Sequence, residues 1–381
     1  MCIENITIIY KYNEVCITSI FVLGMADQKI SLSAFSLQLP NSVVTVRAPC
    51  VVKLLGEHAV VHGRTAVAAA LELYAFASFK RSLVDGLELE LKDYNKKVLL
   101  SNKILTGLLD IYKKRESLKS YIELSKLDSI ILPYATIAAI FYERYKVMIN
   151  GTVSISSEIP KQSGLASSAS CYSAFTVLLV KLSGKTLSDD EIIELARDGE
   201  RVSHMNEGAG RIDISTAYYG GYVSFSNKAG FVKHNFKVHP KLLVINTGPK
   251  KPTAVTVGRV SELLNENKEH TEKILDSINE CSIKGLDALA KNKMQELGAL
   301  MYKDHELLKE LEVSNEGLDK AVDIAKKHNA HGAKLSGGGG GGIAIALLKT
   351  YDKKLEEELQ KGGFSCIKAH ISEKGSDIIT T

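Results

Sequence analysis

The sequence predicts a two-domain α+β protein, and three observations carry that reading. Strands and helices alternate from about Ser42 to residue 228, and residues 253–327 are then predominantly helical. The chain finally returns to sheet at "IAIALL", directly after six consecutive glycines, Gly337–Gly342. The change in texture places a boundary near 228–240. At 381 residues, 45% hydrophobic and 24% charged, the composition is that of a globular protein with length for two or three packed domains.

Taken in order, the first 40 residues stand apart. Val15–Ala26 has the hydropathy of a signal core, but Glu4 and Glu14 precede it without a basic segment, which argues against secretion. The reading is either an over-extended start upstream of Met25 or an extra strand. No apolar run reaches the ~18 residues that a membrane span needs. "SVVTVRAPCVVKLLG" reads as a strand, so positions 51 and 53 share a face. Leu124–Tyr145 reads as a helical hairpin around Pro133. In "GTVSISSEIP", Val153, Ile155 and Ile159 roughly alternate with polar residues as in a half-buried strand, which ends at Pro160.

A helix follows through Leu182. The next one starts at Ser188, where Glu191 completes a capping-box pattern and Asp189 and Asp190 suit the positive end of the helix dipole. "PKLLVINTG" is a strand. Flexible linkers sit among polar residues, whereas the glycine run joins "GAKLS" to "IAIALL", so it predicts a packed loop.

Charge and cysteines exclude several classes. The net charge of +4 includes no dense basic block, so no nucleic-acid tail is expected. The six cysteines are scattered without a CxxC, which predicts reduced thiols in the cytoplasm, and no HExxH suggests zinc.

Candidate chemistry lies in three segments. "EIPKQSGLASSASCYSAF" runs from a strand through a turn at Pro160 and Gly164 into a helix opened by Ser167 and Ser168. Unpartnered amides at a helix start, with the dipole, favour an anion. The alternative is a plain serine N-cap. Gly184-Lys185-Thr186 is not a P-loop, because position 179 is leucine where that motif requires glycine. In "LARDGERVSHMNEGAGRIDISTAYYGG", Glu200 borders the apolar stripe of Ile192, Leu195, Ala196 and Gly199 and is either a cation ligand or a solvated glutamate. Asp213, between two isoleucines, is either a turn residue or a partly buried base. In "RAPCVVKLLGEHAVVHGRTAV", Glu57 and His58 emerge at a strand end, where ligands often bind.

Together and in this order, "GEHAVVHG", "PKQSGLASSA", "NTGPKKPTAVTVGRV" and "HGAKLSGGGGGGIAIAL" resemble the GHMP family of small-molecule kinases over residues 43–348, most specifically its mevalonate-phosphorylating members. The resemblance implies a ribosomal-protein-S5-like α/β domain over 41–232 and a ferredoxin-like α+β domain over 233–381, with the active site in the cleft between them. It implies ATP as co-substrate, Mg²⁺ as cofactor and mevalonate as acceptor, phosphorylated on its 5-hydroxyl. It implies neither a nucleic-acid nor a membrane partner, and it allows a homodimer. Pro160, Lys161, Gly164, Leu165, Ala166, Ser167, Ser168 and Ala169 would bind ATP, and Ser168 with Glu200 would hold the metal. Glu57, His58, Gly338 and Gly339 would meet the acceptor, and Asp213 would orient or deprotonate its hydroxyl.

Three departures stand out. The family lysine that follows "APG" is absent after "APC", and Lys53 comes two positions later. "NEGAGRIDIS" replaces "GNPSGxDN" around Asp213, with two extra residues after Glu200. The helix after the serines is one residue longer before Tyr172. They leave open whether Lys53 replaces the family lysine or is a surface residue. They also keep alternatives in play: a sibling kinase of phosphomevalonate, of another mevalonate hydroxyl or of a sugar, or a non-catalytic module of the same fold.

Overall fold

A computed structural model of the chain describes residues 7–12, 15–20, 43–160, 164–249 and 251–380. Its contacts divide the chain into Met1–Leu39 and Pro40–Thr381. In the first unit, β1 (Thr7–Tyr12) and β2 (Val15–Ile20) pair antiparallel. The first half of the segment Val15–Ala26, as far as Ile20, is therefore strand, and the other half lies outside the described residues.

The second unit carries two sheets. The larger contains β3 (Val44–Leu55), β4 (Ala66–Lys80), β5 (Leu87–Leu91), β6 (Lys96–Leu100), β7 (Gly151–Ser157), β8 (Tyr222–Ser226) and β9 (Gly230–His234). The smaller contains β10 (Lys241–Asn246), β11 (Gly332–Ser336), β12 (Ile343–Leu348) and β13 (Ser365–Ala369), in the order β11-β12-β10-β13 and antiparallel throughout. The last strand, β14 (Asp377–Thr380), returns to the larger sheet and pairs with β3 over Val44–Arg47. The larger order is β14-β3-β4-β7-β5-β6, with β8 also on β4. Arg47 fixes the register of β14 through an ion pair with Asp377 at 2.7 Å.

α1 (Asn102–Lys113) meets β6 of the larger sheet, α4 (Ser167–Ser183) and α6 (Arg211–Tyr219) pack on its strands, and α2 (Leu118–Ser125), α3 (Leu132–Tyr145) and α5 (Asp189–His204) pack on these helices. The expected hairpin around Pro133 is not there. Pro133 instead sits in the first turn of α3, where a missing N–H costs no hydrogen bond. The capping box at Ser188 is present: Glu191 N donates to Ser188 Oγ at 3.3 Å, and Ser188 N donates back to Glu191 Oε2 at 2.9 Å.

The helical stretch resolves into α7 (Thr253–Glu266), α8 (Lys268–Ala290), α9 (Met294–Glu310) and α10 (Glu316–Lys327), and α11 (Lys353–Lys361) follows β12. These helices and the smaller sheet share a core that includes Leu243, Ile245, Leu275, Leu308, Leu335 and Ala346. Each large aliphatic buried there contributes about 1.5–3 kcal/mol, so the core fixes β11 and the loop after it firmly. No helix among the described residues is long and apolar enough to cross a membrane.

Candidate active site

The site is organised along one edge of β3. β4 occupies the other edge throughout, while β14 covers this one only as far as Arg47. Beyond that point side chains and loops take over the exposed backbone groups. Ser170 Oγ donates to Pro49 O at 2.8 Å, and Val51 N donates to Leu165 O at 3.2 Å. Lys53 N donates to Ser336 Oγ at 2.9 Å, and the same hydroxyl donates to Lys53 O at 3.0 Å. The serine-rich loop and the glycine-rich loop are thus spaced by a single strand.

The serine-rich loop ends in an uncapped helix. Ala166 is the N-cap of α4, in a left-handed conformation (φ 52°), and it makes no side-chain cap to the first turn among the described residues. Neither Ser167 nor Ser168 acts as the N-cap, so the first amides of α4 remain available for an anion. The Leu165 and Ala169 side chains are buried, so both can meet a ligand only through main chain. Pro160 ends the strand segment half-buried, and Lys161 lies outside the described residues. Gly184, of the rejected GKT, is the left-handed cap that ends α4 (φ 66°).

Asp213 stands in the first turn of α6, behind which Val51, Ala66, Ala68, Ile212, Ala217 and Phe225 form an apolar cluster. That cluster sets the helix against β3, and the Asp213 carboxylate meets Lys53: Nζ to Oδ1 is 2.7 Å. Burial works against the lysine charge, but Asp213, with Glu57 and Glu200 further off, holds its pKa above the ordinary value. Lys53 is therefore an ammonium at neutral pH. It is no surface lysine: its side chain is 18% exposed.

Glu200 is buried on α5, not solvated. His204 Nε2 lies 3.1 Å from its Oε2, while Oε1 has no hydrogen-bond partner among the described residues. Gly210 crosses directly above: a Cβ there would stand 2.7 Å from Glu200 Cβ, and its φ of +75° also favours glycine. The loop leading to Asp213 is braced by α5, with Arg197 Nε donating to Ala209 O at 3.3 Å and Arg201 Nε to Glu207 O at 3.2 Å.

The glycine run is a packed loop, as its flanks predicted. Gly340 N donates to Val313 O at 2.8 Å, Lys251 N to Gly340 O at 3.1 Å and Thr247 N to Gly342 O at 2.8 Å. At Gly339 a Cβ would fall 2.0 Å from Val313 O. Gly338 O accepts a hydrogen bond from His58 Nε2 at 3.0 Å. Burial pushes the His58 pKa down to about 4, so the ring is neutral and its Nε2 carries the proton. His58 and Gly338, both expected at the acceptor, are bonded to each other, and Gly339 backs onto Val313.

Glu57 is placed differently from the expectation. Its carboxylate is buried against Lys334, with Nζ to Oε1 at 2.5 Å, and Lys334 is also 3.3 Å from Asp304. A lysine without exposure in an apolar strand must be paired, and Glu57 is the partner it finds. Sequence reasoning missed Lys334, Asp304 and Ser336. The available signal was a lysine between Ala333 and Leu335 in a strand that reads as apolar.

Two family models match the chain: the N-terminal domain of GHMP kinases over residues 132–221, and the C-terminal domain over 286–364. A mevalonate kinase of Pyrococcus furiosus is 31% identical over 344 residues, covering 88% of this chain and 98% of that protein. The chain belongs to the GHMP kinase family. A mevalonate kinase of Methanocaldococcus jannaschii is 33% identical, covering 83% of this GHMP kinase and 96% of the relative. A crystal structure of mevalonate kinase superposes with a TM-score of 0.71 at 29% identity, covering 86% of this chain and 98% of that one. GHMP kinases use ATP, and the uncapped start of α4 is suited to its phosphates.

Proposed function

We propose that this GHMP kinase transfers the γ-phosphoryl group of ATP to the 5-hydroxyl of mevalonate. The observation that carries the reading is the Lys53–Asp213 pair, set on the strand edge that also anchors the serine-rich loop. The acceptor oxygen forms a bond to the γ-phosphorus as the bond to ADP breaks, and Asp213 orients the hydroxyl or takes its proton. Lys53 steadies the charge that spreads over the transferring group, and the α4 amides hold the phosphates that stay behind. Such chemistry rests on positioning and charge neutralisation.

Mg²⁺ fits the residues present. Glu200 offers a buried carboxylate oxygen without a hydrogen-bond partner among the described residues and Ser168 a hydroxyl, the oxygen donors a hard cation prefers. The ion would be held by these two residues and would neutralise phosphate charge. Lobes over 41–232 and 233–381, working from the cytoplasm, complete the proposal.

The mevalonate kinase names of the relatives support mevalonate as acceptor. A coupled ADP-release assay with mevalonate, phosphomevalonate, galactose and homoserine tests it. Turnover with mevalonate and Mg-ATP is expected. Release with phosphomevalonate or galactose but not mevalonate would reassign the acceptor, and no release with any of them would favour the non-catalytic module.

A further inference from the structure

We infer that Ser336 is a positioning residue, acting on the reaction through Lys53. The inference rests on the role proposed for Lys53. Ser336 is the last residue of β11, 3% exposed, and its side chain belongs to the smaller sheet while its bonds go to the larger. One hydroxyl has one proton to give and lone pairs to receive. Here the proton goes to Lys53 O at 3.0 Å, and a lone pair takes Lys53 N–H at 2.9 Å. For that single residue, Ser336 does what a neighbouring strand would do.

The location makes the clamp consequential. Pairing of β3 with β4 is regular from Cys50 to Lys53 and shifts register between Lys53 and Leu55. Lys53 is therefore the last regularly paired residue before an irregularity, where backbone direction is least constrained by the ladder. Its other edge is uncovered by any described strand, because β14 stops opposite Val44 to Arg47. Without the hydroxyl, both backbone groups lose their partner and the residue is free to tilt. A small rotation there is amplified along the lysine stem, and the ammonium must still meet Asp213 at 2.7 Å.

The Ser336 hydroxyl, already engaged as donor and as acceptor, has its proton committed to Lys53, so it does not donate to substrate. Its effect should fall on the chemical step and leave substrate binding largely intact. A purely structural residue would show a different pattern: lower melting temperature, unchanged turnover of the folded fraction, and no dependence on the side chain at 53.

The experiment compares the wild type with Ser336→Ala, Ser336→Thr, Lys53→Met and Ser336→Ala/Lys53→Met, measuring kcat, both KM values and thermal unfolding. Ser336→Ala is expected to lower kcat about 10- to 100-fold with KM changed only a few-fold, the scale of loss for a misplaced catalytic group. Ser336→Thr, which keeps the hydroxyl, should recover most of that loss even though it adds a methyl group to a buried site. The double variant should be no slower than Lys53→Met alone, since the clamp has nothing left to aim. Wild-type kcat in Ser336→Ala, an equal failure of the threonine variant, or the same fold-loss in both backgrounds would overturn the inference. Should Ser336→Ala not fold, the kcat of Ser336→Cys, with its weaker donor, must fall between those of serine and Lys53→Met. If Lys53→Met itself turns over at the wild-type rate, the role of Lys53 falls. If Lys53→Met is crippled and Ser336→Ala is silent, only the inference about Ser336 falls.

Discussion

Lys53 and Asp213, 160 residues apart in the chain, form an ion pair of 2.7 Å between the end of β3 and the first turn of α6. The pair gives Asp213 a charged neighbour and gives Lys53 a reason to stay protonated inside the protein. Asp213→Asn keeps size and hydrogen bonding but removes the charge. Turnover should fall about 10²- to 10⁴-fold, the usual loss when a general base is removed, while ATP affinity persists. Isothermal titration with ATP alongside the turnover assay separates the two effects, and a variant within a few-fold of wild type would reduce Asp213 to a helix-start residue.

Moving the lysine should not restore activity. Val51 shares the Lys53 face, but it is 2% exposed within the cluster of Ile212, Ala217 and Phe225. An ammonium placed there loses its hydration inside an apolar cluster. Val51→Lys/Lys53→Met is expected to be as slow as Lys53→Met and less stable in urea. Recovery of turnover would show that the cluster yields to the longer side chain.

Glu200→Gln should separate metal affinity from stability. A buried carboxylate oxygen without a partner is costly to the fold, so the amide is expected to leave metal-free stability within about 1 kcal/mol of wild type or raise it. The Mg²⁺ concentration for half-maximal rate should rise at least about tenfold. Urea unfolding in EDTA and a Mg²⁺ titration of rate read the two quantities independently, and an unchanged titration would remove Glu200 from the metal site.

His58 gives a pH signature. Burial lowers its pKa from 6.5 to about 4, so it binds a proton less tightly folded than unfolded. Its contribution to stability is complete above 6.5 and is lost as pH falls through about 4. His58→Gln can keep a donor toward Gly338 O but does not titrate, so its unfolding free energy should fall less steeply between pH 6.5 and 4. Burial moves Asp304 the other way, up to about 7, so its contribution declines as pH rises from its unfolded value of 3.8 toward 7. That opposite slope is common to both proteins and cancels in the difference. Parallel curves would mean that the ring does not titrate with folding.

Lys334→Met tests the buried network. It leaves Glu57 and Asp304 without their shared cation, which should cost about 3–5 kcal/mol of stability in urea melts. A loss below about 1 kcal/mol would mean that the two carboxylates find another partner or a proton.

Which of these residues the sequence discloses depends on how local their signal is. Asp213 between isoleucines and Glu200 beside an apolar stripe are visible, because a charge that interrupts a hydrophobic pattern shows within ten residues. The helices of 253–327 are visible for the same reason. Glu57 gives no local sign of its buried pairing, because its partner, Lys334, lies 277 residues away. Ser336 leaves no trace, since a serine before glycines looks the same whether its hydroxyl faces water or clamps a strand. Pro133 is ambiguous in the sequence, because periodicity shows that a helix is interrupted but not on which side of the proline it begins.

The return of β14 to β3 has a consequence for how the protein is made. Residues 44–47 are synthesised about 330 residues before their partners at 377–380. At about 5–20 residues per second, the outer edge of β3 waits roughly a quarter of a minute to a minute or more for its cover. During that interval the nascent chain carries an open strand edge, the kind that chaperones hold and that stray chains add to. Synthesis rate and chaperone supply should therefore govern the yield of this enzyme more than its final stability does.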